Sequence, residues 1–275
     1  MSRAFRSFLL LPMMASAVFA QDFSATLVRL NALKPAEFSA LKVRAKAGDA
    51  SAENSMGIAC ATGSGMSKDE SEAVRWFRRA AGHGSEIAEN NVGVMFRTGR
   101  GVIKDAGEAV HWFQRAAEHG LSHGQFNLAV AYYEGNGVPQ NYEQAMKWFM
   151  VAALKGHKAA QNNVGTMYSH GWGVERDDRE ATRWFRMAAE QGYTPAQTNL
   201  ALMLALDGEQ TPDLTGAYTW LLIADANGDS KSRTVRDLFT PRLRPEELQQ
   251  AQSQASDWLA KHQQASAGHR PATGQ

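Results

Sequence analysis

The chain has 275 residues, of which 44% are hydrophobic and 21% are charged, and its formal net charge at pH 7 is +1. These values are typical of a globular protein, and the near-zero charge excludes a general electrostatic attraction for nucleic acid or an anionic membrane. Cys60 is the only cysteine, so no intramolecular disulfide can form.

The first 20 residues have the pattern of a cleavable signal peptide. Arg3 and Arg6 give a basic start, residues 8–18 are apolar, and the small residue before Gln21 suits cleavage. The apolar stretch is short for a membrane span, although a retained membrane anchor is the alternative. No cysteine follows it to take a bacterial lipid anchor. We therefore expect an exported protein, periplasmic or secreted, with no membrane span in the mature chain.

A helix at 21–36 is predicted to cap the start of a repeat array. In that array a tryptophan returns every 36 residues, which is the signature of a stacked-repeat solenoid. The tryptophans are Trp76, Trp112, Trp148, Trp184 and Trp220. An alanine three residues before each one and further apolar residues after it share one face of a helix. Glycines suited to a left-handed helix cap follow at Gly84, Gly120, Gly156, Gly192 and Gly228.

A second helix follows in each unit and carries small residues opposite large ones, so neighbouring helices can approach closely. A Gly-x-Gly turn then leads to the next first helix. Each first helix is preceded by Asp or Asn, with Glu or Gln three residues later in most units. We interpret this pair as a capping box rather than as acid–base chemistry. The capping residues are Asp69, Asp105, Asn141, Asp177 and Asp213.

The pattern Ala-x-x-Trp-Phe-x-x-Ala-Ala-x-x-Gly, followed by Asn-Leu/Val-Gly/Ala-x-x-Tyr/Phe-x-x-Gly-x-Gly-Val, resembles the Sel-one-like repeat family, a branch of the tetratricopeptide-like solenoids. The resemblance covers residues 37–228, about five to six units with degenerate first and last copies. It implies an all-α fold, a right-handed α/α superhelical solenoid of antiparallel helix pairs with 36-residue repeats. We predict a capping segment at 229–263 and a disordered tail at 264–275.

The resemblance implies that the second helices line a concave groove, and these helices carry an asparagine column. Its members are Asn91, Asn127, Asn163 and Asn199. Carboxamides donate and accept hydrogen bonds, so the column could grip the backbone of an extended peptide. The alternative is that each asparagine bonds a neighbouring helix or loop. Non-repeating residues on the same surface would give specificity, or they are ordinary solvated surface. They are Arg97, Tyr133, Glu134, Ser169 and His170.

A basic stripe on the first helices is a second candidate surface. It could meet an acidic partner or an anionic envelope polymer, or it could be a solvated face paired with nearby acids. Its members are Arg75, Arg78, Arg79, Arg115, Lys147, Arg183 and Arg186.

Catalytic and metal motifs are weak in this chain. Some relatives of the family are linked to β-lactam chemistry, and Ser39 with Lys42 fits Ser-x-x-Lys, but the partner motifs Ser-Asp-Asn and Lys-Thr-Gly are missing. His119 and His123 flank a helix-ending glycine and have no third ligand column, so we expect no metal site. Cys60 occupies an interior column and is expected to be a buried, inert thiol.

Together these features predict a protein-interaction scaffold or regulatory adaptor without enzymatic activity or cofactor. The expected partner is an extended segment of a protein in the cell envelope, bound in the concave groove. The alternative is an envelope-polymer or peptidoglycan-active protein that uses the basic stripe or the Ser-x-x-Lys motif, including β-lactam binding or hydrolysis.

Overall fold

The computed structural model describes residues 24–206 and 212–268. This part of the chain forms fourteen α-helices and contains no β-strand. The helices are α1 Ser24–Asn31, α2 Pro35–Lys46, α3 Ala50–Thr62, α4 Glu70–Gly82, α5 Glu86–Thr98, α6 Ala106–Glu118, α7 Ser122–Glu134, α8 Tyr142–Leu154, α9 Lys158–His170, α10 Asp178–Glu190, α11 Thr194–Ala205, α12 Leu214–Ala226, α13 Ser230–Phe239 and α14 Pro245–Gly268.

The predicted signal peptide at 1–20 lies outside the described residues, as do residues 269–275 of the predicted tail. The segment at 21–36 contains α1, and α13, a 3₁₀ turn at Thr240–Arg242 and α14 follow residue 229. The last helix extends to Gly268, so the prediction of a disordered tail at 264–275 was wrong for residues 264–268, which continue the helix. Within the described ranges, no helix has both the length and the apolarity needed to cross a membrane.

The helices fall into two compact units, residues 24–157 and residues 158–268, and each is a run of helix pairs. Within each unit, successive helices pack side by side along the chain, which buries the apolar face of each helix against its neighbours. The predicted all-α solenoid of helix pairs with 36-residue repeats is therefore confirmed. Among the repeated tryptophans, Trp76, Trp184 and Trp220 are buried, while Trp112 and Trp148 are half-buried.

The first helices begin as predicted at a side-chain cap, but the reciprocal half of the capping box is absent. The Asp105 carboxylate accepts from the backbone N–H of Glu108 at 3.0 Å. However, the backbone N–H of Asp105 donates to the Phe96 carbonyl of the preceding helix at 3.0 Å. The same arrangement recurs at Asp69. The capping-box interpretation was wrong in this respect. In a capping box this backbone N–H donates to the glutamate carboxylate, whereas here it donates to the carbonyl of the preceding helix.

Glycines let the helices approach one another closely. A Cβ atom added at Gly93 on α5 would lie 2.6 Å from the Phe113 ring of α6, closer than real side chains pack. In the turn after α5, a Cβ at Gly101 would collide with the backbone carbonyl of Glu70, at the start of α4. Gly101 has a φ of +68°, which side chains rarely adopt. These glycines set the spacing between neighbouring repeats.

Candidate functional site

The asparagine column is buried in the unit of residues 24–157, and its members bond asparagines that stand one position before the column in the preceding second helix. The Nδ2 of Asn91 donates to Oδ1 of Asn54 at 2.9 Å, and the Nδ2 of Asn127 donates to Oδ1 of Asn90 at 2.8 Å. Asn91 and Asn127 are only 2% and 1% exposed. Each bond joins the second helices of successive repeats, so the column ties one repeat to the next.

The unit of residues 158–268 contains the same bond. There the Nδ2 of Asn199 donates to Oδ1 of Asn162 at 3.0 Å, and both Asn163 and Asn199 are buried. For Asn91, Asn127 and Asn199 these contacts correspond to the alternative interpretation, in which each asparagine bonds a neighbouring helix. That the column itself grips a peptide remains a prediction. A partner on this surface would meet the side chains around the column before it met the carboxamides.

A shallow cleft in the unit of residues 24–157 brings two predicted site residues into direct contact. The half-buried Arg97, near the end of α5, donates from Nη1 to Oδ1 of Asn127 at 3.1 Å. Its guanidinium carbon lies 5.4 Å from the centre of the Phe113 ring. The cleft encloses only about 10 Å³, and Glu134 and Asn136 belong to its lining. It is a concave feature with a fixed cation.

Tyr133 and His170 belong to other local clusters. The Tyr133 ring packs against Tyr142 at 5.4 Å between centroids, and burial raises the pKa of its phenol. In the unit of residues 158–268, His170 stacks on Trp172 at 4.2 Å, and its Nδ1 lies 2.9 Å from Oγ of Ser169. The side chains expected to give specificity are thus held in three separate settings rather than in one constellation.

Buried ion pairs between repeats were not predicted. Glu89 on α5 is fully buried, and its two carboxylate oxygens lie 2.8 Å from Nη2 of Arg115 and 2.8 Å from Nδ1 of His119. The Arg115 guanidinium also lies 4.7 Å from the centre of the Trp112 ring. Since Arg115 is on α6 and His119 directly follows that helix, this cluster fastens α5 to α6.

The same cluster occurs one repeat earlier, where the fully buried Glu53 meets Arg79 at 2.9 Å and His83 at 2.7 Å. In the unit of residues 158–268, neutral amide pairs replace it. The Nε2 of Gln191 donates to Oε1 of Gln161 at 2.7 Å. The sequence contains two columns from which these contacts between repeats could have been predicted. One column has an acid or a glutamine every 36 residues, and the other holds its partner 30 residues further on. The acid–glutamine column is Glu53, Glu89, Gln125, Gln161 and Gln197.

The basic stripe is largely paired with acids, as its alternative interpretation holds. Arg79 and Arg115 pair with the buried glutamates described above. Arg75 lies 3.0 Å from Glu72, and Arg183 lies 3.3 Å from Glu180. Four of the seven stripe residues therefore form local ion pairs along the first helices, and the exposed pairs contribute little to stability.

The two histidines considered as metal ligands point to different neighbours. The Nδ1 of His119 pairs with Glu89, whereas the ring of His123 packs edge-on against His157 at 4.9 Å. The described residues contain no group of three or more potential metal ligands. In the Ser-x-x-Lys motif, the Ser39 hydroxyl donates to the Pro35 carbonyl at 2.9 Å, within α2.

Cys60 is buried, with its Sγ 3.5 Å from the Met66 sulfur. Burial, together with the negative charges of Glu72 and Asp69, raises the pKa of the thiol to about 11. An unfolded chain would ionise near the ordinary value of ~8.5. The raised pKa adds stability that is complete below the unfolded value and is lost as the pH rises towards 11.

We therefore expect Cys60 in the folded protein to react with iodoacetamide at pH 8 roughly 100-fold more slowly than in the urea-unfolded chain, because the thiolate is the reactive form. The native rate should still be rising at pH 10, whereas the rate of the unfolded chain should have levelled off. Mass spectrometry of the alkylated fraction over time measures both rates. Equal rates for the two states at pH 8 would contradict the burial of this thiol.

Consecutive helix pairs with polar columns buried between repeats define an α-helical repeat solenoid. The sequence profile of the Sel1 repeat matches residues 50–85, 87–121, 122–157, 158–193 and 194–229, and the chain belongs to the Sel1 repeat family. The resemblance seen in the sequence is thus confirmed. Proteins of this family are generally protein-interaction scaffolds, and the fold is typically non-catalytic. No curated protein matches the sequence.

Solved structures similar to this chain include two with sequence identities of 32% and 29%. A protective antigen of uropathogenic Escherichia coli strains, which displays an SLR fold, is 32% identical with a TM-score of 0.71. The match covers 79% of this chain and 48% of the antigen, so the chain spans about half the antigen's length. A Sel1 repeat protein from Oxalobacter formigenes is 29% identical with a TM-score of 0.66, over 75% of this chain and 84% of that one.

Proposed function

We propose that the chain is an exported scaffold or regulatory adaptor of the bacterial envelope, which binds an extended segment of a partner protein on the surface of its second helices. The Arg97 cleft carries this proposal. Around it, the polar side chains of the second helices are hydrogen-bonded to one another, while the cleft leaves a concave surface with a positioned guanidinium. Concave sites with a few fixed polar groups are the usual places for recognition.

The sequence of the first 20 residues supports export, because it joins a basic start to a short apolar stretch and a small residue before Gln21. An envelope location would also limit the partners to molecules of the cell envelope. The near-neutral charge of the chain favours recognition through particular contacts over a general attraction to polymers. A protein partner agrees with the general role of Sel1 repeat proteins as interaction scaffolds.

Site-specific photo-crosslinking in intact cells tests this function. A photoreactive amino acid replaces Glu134, an exposed residue of the cleft, and a matched variant carries it at Glu118, an exposed residue of α6. We expect ultraviolet light to join the Glu134 variant, but not the Glu118 variant, to one defined envelope protein. The cross-linked chain should be recovered from the periplasmic fraction and should begin at Gln21.

Two outcomes would overturn this function. The absence of a defined adduct at Glu134, or equal adducts at both positions, would remove the cleft as a partner surface. Recovery of the chain with its first 20 residues intact in the cytoplasm would refute export. Labelling of the purified chain by a fluorescent penicillin, lost on Ser39→Ala, would favour the alternative β-lactam chemistry instead.

A further inference from the structure

We propose that the Arg97 cleft is a binding site for a single aspartate or glutamate side chain, presented by an extended segment of the partner protein. The inference rests on the proposed scaffold function, because it names the chemistry that the scaffold would recognise. It is carried by the way in which Arg97 is held, by the size and lining of the cleft, and by the sequence of the repeat column to which Arg97 belongs.

The guanidinium of Arg97 is positioned before any partner arrives. Oδ1 of Asn127 accepts from its Nη1 at 3.1 Å, and the Phe113 ring lies beneath it at 5.4 Å. Asn127 is itself buried and fixed by its 2.8 Å bond to Asn90. A guanidinium has five N–H donors in a planar fork that matches a carboxylate. Since these contacts fix its position, less side-chain entropy is lost on binding.

The cleft is too small for a cofactor or nucleotide. Its enclosed volume is only about 10 Å³, far below the ~300–1,000 Å³ of typical small-molecule sites. Apolar side chains such as Val110 and Val130 belong to the lining beside Arg97. The carboxylate end of a short acidic side chain can approach the guanidinium from this shallow surface, and the apolar lining beside Arg97 strengthens that attraction by lowering the local dielectric.

Glu134 restricts what can lie next to that acid. Its exposed carboxylate belongs to the same cleft lining, so it weakens the attraction of the cleft for the first acid, which Arg97 offsets, and it repels a second acidic residue that has no such cation. An apolar or basic neighbour would avoid this repulsion. The segment recognised is therefore a lone acid between apolar or basic residues, rather than an acidic run.

The repeat column points to one acid as well. The positions equivalent to Arg97 in the following repeats are Tyr133, Ser169 and Ala205. A solenoid that read a polyanion would be expected to repeat its cation at this register, as nucleic-acid and polymer binders do with regular basic stripes. Here the cation occurs once in the column, where the cleft is.

A random heptapeptide library displayed on phage tests the proposal with the purified mature chain. Fusion to the coat protein blocks the peptide C-terminus, so carboxylates come from side chains alone. We expect selection to enrich peptides with one Asp or Glu between apolar or basic residues. Capture of these phage should fall at least about tenfold for Arg97→Gln, in line with the loss of a charged hydrogen bond. Arg75→Gln, at an exposed arginine of α4, should leave capture unchanged.

Two further measurements test the carboxylate site without relying on the folding of the Arg97→Gln variant. A synthetic copy of the best peptide should lose affinity at least tenfold when its acid is changed to the amide, with the protein itself unaltered. Glu134→Gln should retain binding and admit peptides with two acids. Enrichment without acids, or capture indifferent to Arg97→Gln, would overturn the carboxylate assignment and leave the scaffold function standing. No enrichment at all would overturn this proposal, and the cross-linking result decides the scaffold function separately.

Discussion

Gly101→Ala is expected to lower the free energy of unfolding by roughly 3 kcal/mol. A side chain at the φ of +68° costs about 1 kcal/mol. The new Cβ would also collide with the Glu70 carbonyl and lie 2.8 Å from the Ser71 amide nitrogen. These are backbone atoms of α4 and cannot rotate away, and overpacking of this kind adds about 1–3 kcal/mol. Urea unfolding of the mature chain, followed by far-ultraviolet circular dichroism, measures the loss.

Gly84→Ala is the matched control, because Gly84 has a similar φ of +85° and its added Cβ would have no atom within 4 Å. It should cost only the conformational term of about 1 kcal/mol. If the two variants unfold at the same urea concentration, the close approach of the Gly101 turn to α4 does not contribute to stability. A larger loss for Gly101→Ala shows that the docking of successive repeats depends on that approach.

The sequence predicted the helices well because their signals are local. Each tryptophan, capping aspartate and helix-ending glycine affects the backbone conformation or the apolar face within one or two turns of its own helix. The observed positive φ at Gly84 and Gly120 and the side-chain cap at Asp105 follow directly from such signals. The capping box failed at the same residue, because its backbone N–H bonds across the turn to Phe96.

The asparagine column shows where sequence reasoning stops. Its positions were found from the 36-residue spacing, but its hydrogen bonds span 37 residues, from Asn127 to Asn90. That offset depends on how far each second helix is shifted relative to the next, which no single repeat encodes. A polar column at helical spacing has the same residue types whether it faces solvent, a partner or another repeat. Burial decides between these, and burial is set by the packing of several helices.

The buried ion pairs were missed for the same reason. Arg115 was grouped with an exposed stripe, because arginine and glutamate usually lie on the surface. Glu89 is nevertheless completely buried, since the second helix of each repeat lies against both neighbouring first helices. Its partners stand 26 and 30 residues later, at Arg115 and His119. A comparison of the acid–glutamine column with the column 30 residues further on would have found the ion pair without a structure.

Arg115→Ala is expected to destabilise the chain by roughly 3 kcal/mol, because it leaves the buried Glu89 carboxylate with His119 alone. Breaking a fully buried pair costs about 3–5 kcal/mol, and we take the lower end since Arg115 is 38% exposed. Urea unfolding of the mature chain gives the value. Arg75→Ala, at an arginine that is 76% exposed and paired with Glu72, should change stability by less than about 1 kcal/mol.

The chain itself supplies the variant that should restore stability. At the equivalent positions of a later repeat it carries Gln161, Met187 and Gln191, and the two glutamines bond at 2.7 Å. The triple variant Glu89→Gln, Arg115→Met and His119→Gln should therefore unfold within about 1 kcal/mol of the natural chain, because a neutral amide pair needs no buried countercharge. If the triple variant is as unstable as Arg115→Ala, the cost comes from lost packing of the Arg115 side chain on Trp112, and the buried charge is not its cause.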